Sequence, residues 1–241
     1  MSQQFETGHA KNVANLEMLI EQIKTFTNYN PSIDNLKIPE VTTLYNNALA
    51  SLNSVKDKRI ANKNAIHTRQ DLYIKLKGTS TRIINQLDIL NLQEGVFKQA
   101  KSLNKLIQGS SSSSKSEKEG EQQNNSKSTS RQSYTQLAEN FSKLLQQIGT
   151  IGTYNPNIDD LKLVNLNTYR TELVNITQNV NQTEAELDSK IIERNNILYD
   201  DTTGLYEIAQ NVKKYVKSVY GSTSPEYSNV SKIKFTDLRN R

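Results

Sequence analysis

Three groups of residues have types and spacings that could do chemistry. Asp34 and Asp159 stand at the same place in two near-copies, NYNPSIDNLKI (28–38) and TYNPNIDDLKL (153–163). A matched carboxylate could bind a cation or a partner, at corners built from Tyr29, Asn30 and Pro31 and from Tyr154, Asn155 and Pro156. Arg59, Asn62 and Arg69, with Glu184 and Arg194, interrupt helical stripes that are otherwise apolar. Two arginines in a groove could bind an anion; the alternative is a buried polar network that sets helix register. Lys213, Lys214, Lys217, Lys232 and Lys234 crowd a segment, 210–241, that carries 7 Lys/Arg against 2 Asp/Glu. Such a segment could meet phosphates, or be a solvated helix end whose cations suit the negative end of the helix dipole.

Other chemistry is not signalled. The chain has 2 histidines, His9 and His67, and neither is repeated or set at a metal-ligand spacing. Cysteine is absent, which excludes disulfides and thiolate chemistry. The 9 glycines form no phosphate-cradling loop, and no serine has a histidine in a suggestive context. Asp200–Asp201 reads as a turn rather than a metal site. The expectation is therefore no catalytic residue, no metal and no cofactor. No run approaches about 18 apolar residues, so no transmembrane helix is expected. No secretory leader is visible at the start, and the expected location is the cytoplasm.

The elements that must position these residues come in two sets. At a constant offset of 125, Asn15 falls on Asn140, Ile23 on Ile148, Tyr29–Pro31 on Tyr154–Pro156, Arg69 on Arg194 and Ile83 on Ile208. Ungapped agreement over so long a span points to an internal duplication. Residues 1–107 read as one helical unit and 134–241 as its copy with a basic tail. Between them, 108–133 is rich in Ser, Lys, Glu and Gln; it holds no aliphatic or aromatic residue beyond Ile107 and reads as a flexible linker. Each unit is expected to be a shorter helix, a long one and another long one. The fold class is all-α, with tandem three-helix units packed as a pseudo-two-fold bundle, or else as separate rods.

The first helix is expected over about 10–26, with Leu16, Leu19, Ile23 and Phe26 on one face. The second is expected over about 39–77, where Val41, Tyr45, Ala48, Leu52, Val55, Arg59, Asn62, Ile66, Arg69, Tyr73 and Leu76 step by four and three, a heptad seam. Gly78-Thr-Ser is expected to end it, and Asp201-Thr-Thr-Gly204 to end its copy. The third helix would carry Ile83, Leu87, Phe97, Leu103 and Leu106. Its copy would break at Gly221 and resume after Pro225. Asn30 and Asn155 are expected to N-cap a short turn with proline at its first position. Ile33 with Leu36, and Ile158 with Leu161, would close the bundle ends over the two tyrosines. Arg69 is expected to meet Gln86 or Asp88, Arg194 to meet Glu207 or Asn211, and Arg59 to face Glu184.

The run GHAKNVANLEMLIEQI, the YNP corners and the ending VKKYVKSVYGSTSPEYSNVSKIKFT resemble a family of duplicated all-helical proteins of Bacteroidetes bacteria to which no activity is assigned. The resemblance covers nearly the whole chain, implies a bacterial source and a duplicated helical fold, and transfers no functional residue. The expected function is a non-enzymatic structural or protein-interaction bundle that meets a protein partner or self-associates. A nucleic-acid- or anion-binding protein using the basic C-terminal region is the alternative, and a membrane-active helical protein a second one.

Overall fold

The computed structural model describes residues 3–109 and 133–239, with side chains from Thr7 onward. The described part of the expected linker is Gln108, Gly109 and Ser133; positions 110–132 lie outside the described residues. Seven α-helices are described: α1 (Gln3–Lys24), α2 (Ile38–Asp88), α3 (Glu94–Gln108), α4 (Tyr134–Gly149), α5 (Leu163–Tyr199), α6 (Leu205–Tyr220) and α7 (Pro225–Ser231). Short 3-10 turns, Asp34–Leu36 and Asp159–Leu161, precede α2 and α5. There is no strand among the described residues.

The long helices follow their heptad seams. Along α2, Val41, Ala48, Val55, Tyr73 and Leu76 are buried, and the seam positions between them are at least half-buried. Along α5, Leu166, Leu173, Val180, Arg194 and Leu198 are buried. The expected stop at Gly78 is not there: α2 runs unbroken to Asp88. The seam steps on without a slip through Ser80, Ile83 and Leu87, all buried, so packing holds the helix through one glycine. The break falls instead at 89–93, where Asn91 adopts φ 50°, the left-handed conformation that asparagine tolerates. Residues 83–87 thus belong to α2, and only Phe97, Leu103 and Leu106 of the expected third helix lie in α3.

In the second half a break occurs where expected, because Asp200 makes it. Its Oδ1 accepts from the backbone N–H of Thr202 and Thr203, at 2.9 and 2.8 Å, and from both hydroxyls. Those four bonds hold the Asp200 carboxyl far below the usual carboxylate range. Gly204 then fits where no Cβ could, since one would lie 2.4 Å from the Asp200 nitrogen. The residue 125 positions before Asp200 is Lys75, which can accept no such bond, so α2 continues there. Further on, α6 stops at Gly221 (φ 92°), and α7 starts at Pro225 with Ser224 as N-cap, its hydroxyl accepting from Tyr227 N–H at 3.1 Å.

Two compact units result, and they divide the chain differently from the two sequence halves. One combines Met1–Asn62 with Thr183–Arg241, the other is Lys63–Gln182. In the first unit, Leu16, Leu19 and Ile23 of α1, Leu36 and Val41 pack with Leu198, Leu205, Ile208, Val212, Val216, Val230 and Ile233. In the second, Phe141, Leu144 and Ile148 of α4, Leu161 and Leu166 pack with Tyr73, Leu76, Ile83, Leu87, Ala100 and Ile107. Each core joins the first helix of one sequence half to the later helices of the other.

Candidate anion-binding site

The two corners share one set of hydrogen bonds and ion pairs. In the first, the Tyr29 hydroxyl donates to the Leu36 carbonyl at 2.7 Å; in the second, Tyr154 donates to the Leu161 carbonyl at 2.9 Å. Asp34 pairs with Lys37 and Asp159 with Lys162, both at 2.6 Å, which holds each carboxyl below its ordinary value. Each carboxylate is thus already engaged by its own turn. The asparagines do not cap as expected. The 3-10 turns start at Asp34 and Asp159, their N-cap residues are Ile33 and Ile158, and no side chain caps them. Pro31 and Pro156 are buried while Asn30 and Asn155 are exposed. Leu36 and Leu161 close the core, but Ile33 (58% exposed) and Ile158 (45%) face solvent. Three residues per revolution would align positions 33 and 36, but Ile33 and Ile158 are extended N-cap residues outside the 3-10 turns and so do not share that alignment.

The polar seam positions also part company. In the first unit, Thr183 donates to Asn62 Oδ1 at 3.1 Å, and Lys58 pairs with Glu186 at 2.8 Å. Glu184, expected opposite Arg59, is exposed, and Lys58 of α2 reaches Glu186. Arg59 is half-buried. Arg194 is 1% exposed and donates from Nη2 to Asn195 Oδ1 at 2.8 Å; Glu207, one of its expected partners, is engaged by Arg239. In the second unit, Arg69 lies over the Tyr134 ring at 4.1 Å, and not on Gln86 or Asp88. The Thr183–Asn62, Lys58–Glu186 and Arg69–Tyr134 contacts each join two different helices.

The lysines do converge. Lys213, Lys214 and Lys217 lie on one face of α6, opposite the buried Leu205, Ile208, Val212 and Val216. That periodicity directs them together toward α7 and the segment after it. With Lys234, Gln210, Ser231, Tyr227 and Phe235 they line a cavity of about 340 Å³ in the first unit. Lys213 is half-buried; its ammonium donates to the Ile233 carbonyl and stands 4.9 Å from the Phe235 ring centre. Lys217 lies 5.6 Å over the Tyr227 ring. Lys214 donates to Asn211 Oδ1 at 3.2 Å and Lys234 to the Ser231 carbonyl at 3.4 Å. Burial and the neighbouring Lys234 hold Lys213 below the usual lysine range. Lys232 lines a different groove with Lys11, Asn15, Glu17 and Glu21, which Lys234 borders as well.

What distinguishes this cavity is that four lysines without a carboxylate partner converge on it; others occur elsewhere on the described surface, Lys77 on the Gln108 carbonyl and Lys101 over the Phe97 ring. Lys24, Lys37, Lys58, Lys98, Lys143, Lys162 and Lys190 each pair with a carboxylate. The four cavity lysines have only neutral acceptors and aromatic faces. Four ammonium groups around one concavity raise the local potential and favour an anion. The arrangement supplies cations and hydrogen-bond donors.

Sequence reasoning missed the groups that hold the cavity together. Asn12, 1% exposed, takes the Thr236 backbone from both sides: its Nδ2 donates to the Thr236 carbonyl at 2.7 Å, and its Oδ1 accepts from the Thr236 N–H at 2.9 Å. It also donates to the Tyr199 hydroxyl at 3.2 Å, which His9 Nδ1 meets at 2.7 Å. The signal was available. Asn12 precedes Leu16, Leu19 and Ile23 by the same four-three-four stepping, and its register mate in the other half is Leu137.

No protein-family model, curated protein or solved structure matches this chain. Among the described residues, no helix is long and apolar enough to cross a membrane, and no group of acidic or histidine side chains could hold a metal ion.

Proposed function

We propose that this chain is a non-enzymatic binding protein, built on a duplicated helical unit of the kind seen in the Bacteroidetes family it resembles, that binds phosphate-rich ligands through the lysine cavity of α6 and α7. The observation that carries the reading is the convergence of Lys213, Lys214, Lys217 and Lys234 on one cavity with no carboxylate partner. The duplication sharpens it. At the offset of 125 the counterparts of Lys213, Lys214 and Lys217 are Asp88, Ile89 and Leu92, so the shared architecture does not require these cations. A phosphate run is the shared chemistry of inorganic polyphosphate and of a nucleic-acid strand, and two probes distinguish them.

The test titrates the chain with inorganic tripolyphosphate by calorimetry and with a fluorescent oligothymidylate by anisotropy. Saturable binding that weakens about tenfold or more between 50 and 200 mM salt supports the reading. The variant K213E/K217E/K234E should abolish it. Charge reversal is a cleaner test than removing 222–241, because Val230 and Ile233 of that segment belong to the core. No binding of either probe at 50 mM salt, or equal binding by the triple variant, overturns the proposal. Oligothymidylate bound far better than tripolyphosphate identifies a strand as the ligand.

A second reading rests on the corners. Ile33 and Ile158, at matched positions, offer apolar tips to a protein partner or a second copy. Self-association by light scattering that is insensitive to salt and lost in I33S/I158S would favour it.

A further inference from the structure

The cavity is made from two separate stretches of chain. Lys213, Lys214 and Lys217 stand on α6, while Lys234 and Phe235 stand on the segment that follows α7. That segment, 232–239, has no regular structure of its own to place those two side chains. It is laid along α1 by side chains of that helix. Asn12 bonds both backbone groups of Thr236, as a neighbouring strand would. Asn15 Nδ2 donates to the Lys234 carbonyl at 2.5 Å. Leu238 packs over Gly8, where an added Cβ would come within 2.9 Å of its Cδ1. At the far end Arg239 engages Asp237 at 2.7 Å, Glu207 at 3.3 Å and Asp201.

We infer that 232–239 is a docked strap that completes the anion site, that Asn12 and Asn15 of α1 are its positioning residues, and that strap docking and phosphate binding reinforce each other. The inference rests on the anion-binding reading above. Its physical basis is reciprocity: a ligand that needs Lys234 in place binds the docked form better, and by linkage it shifts the strap toward docking by the same factor. Neither asparagine lines the lysine cavity, so neither touches an anion bound there directly. The docked strap also brings Lys234 close enough to Lys213 to disfavour its charge, a cost that a bound anion relieves.

The test uses the full chain, with tripolyphosphate as the probe at 50 mM salt and hydrogen exchange of the 232–239 amides as the second readout. In the unaltered chain the Thr236 amide should be protected, and more so with tripolyphosphate. Asn12→Leu, which installs the residue found at the matched register, should release the strap and weaken binding about tenfold, equivalent to about 1.4 kcal/mol. Asn15→Ala, at a half-buried position, should weaken it about threefold, and keeps the test decisive if the first variant does not fold. Binding unchanged in a variant whose strap is released overturns the inference and leaves the anion-binding reading intact. Exchange at Thr236 unchanged by Asn12→Leu also overturns it. Failure of the unaltered chain to bind either tripolyphosphate or oligothymidylate removes the anion-binding reading, and this inference with it.

Discussion

The corner ending at Leu36 and the corner ending at Leu161 close with the same bonds: a tyrosine hydroxyl on a leucine carbonyl, an aspartate on the lysine three residues on, and a buried proline. Their flanking dihedrals agree within a few degrees, at φ −84° and ψ 118° for Ile33 against −88° and 120° for Ile158. The stretches that follow the long seams do not agree. One runs straight through Gly78, and the other stops at an Asp200-centred turn and leads into the lysine face of α6. At the matched corners the tyrosine, aspartate and leucine each have a local structural partner, whereas the unmatched lysine face of α6 borders a cavity.

The largest expected effects fall on the matched core. Phe141→Ala should cost about 3–5 kcal/mol and Leu16→Ala, at the same register, about 2–5 kcal/mol, read by urea unfolding. A small loss at either site would break the equivalence of the two first helices. Next come two glycines from the unmatched stretches. Gly204→Ala forces a Cβ onto the Asp200 backbone and should cost about 3 kcal/mol. Gly78→Ala, with open space around its Cβ, should stabilise by about 0.5–1 kcal/mol. Melting temperatures moving in opposite directions would confirm that only one of the two sites is a turn.

Smaller effects test the corners. Tyr29→Phe and Tyr154→Phe should each cost about 1 kcal/mol by removing one buried hydrogen bond. Burial pushes the Tyr154 phenol up to about 12 and raises Tyr29 as well. With the folded value above the unfolded value of about 10, the stability held by the neutral phenol is complete below pH ~10. It is lost as pH rises through about 12, so Tyr154→Phe should flatten the alkaline limb of a stability curve. The smallest effect tests the Asp200 turn from the acid side. Its carboxyl is depressed, so its contribution is present above about pH 3.9 and disappears as pH falls through the folded value. Asp200→Asn should therefore be less acid-sensitive than the unaltered chain in thermal scans across pH 2–5.

Much of this was legible in residue order. The seam on α2 and α5, the break at Gly221 with its restart at Pro225, and the basic cluster all follow from spacing and turn chemistry. The stop assigned to Gly78 was an error of weighting. One glycine costs a helix about 1 kcal/mol, while the seam through Ser80, Ile83 and Leu87 buries three further turns. For Arg69 the sequence suggests Gln86 or Asp88 as a nearby polar partner, and the guanidinium lies instead over the Tyr134 ring. Asn12 was passed over because its partner is a backbone more than two hundred residues away.

The sequence by itself determined the all-helical class, the apolar seams of the long helices, the break at Gly221 and the lysine face of α6, because each is set by neighbours within about one or two turns of chain. Only the tertiary structure decided which helices share a core. The first helices of the two halves present equivalent apolar faces, Leu16, Leu19 and Ile23 against Phe141, Leu144 and Ile148, and the later helices do likewise. Pairing within a half or between halves would satisfy the same periodicity. The choice observed, α1 with α6 and α7 and α3 with α4, rests on how whole faces and the strap fit together, which no local spacing encodes.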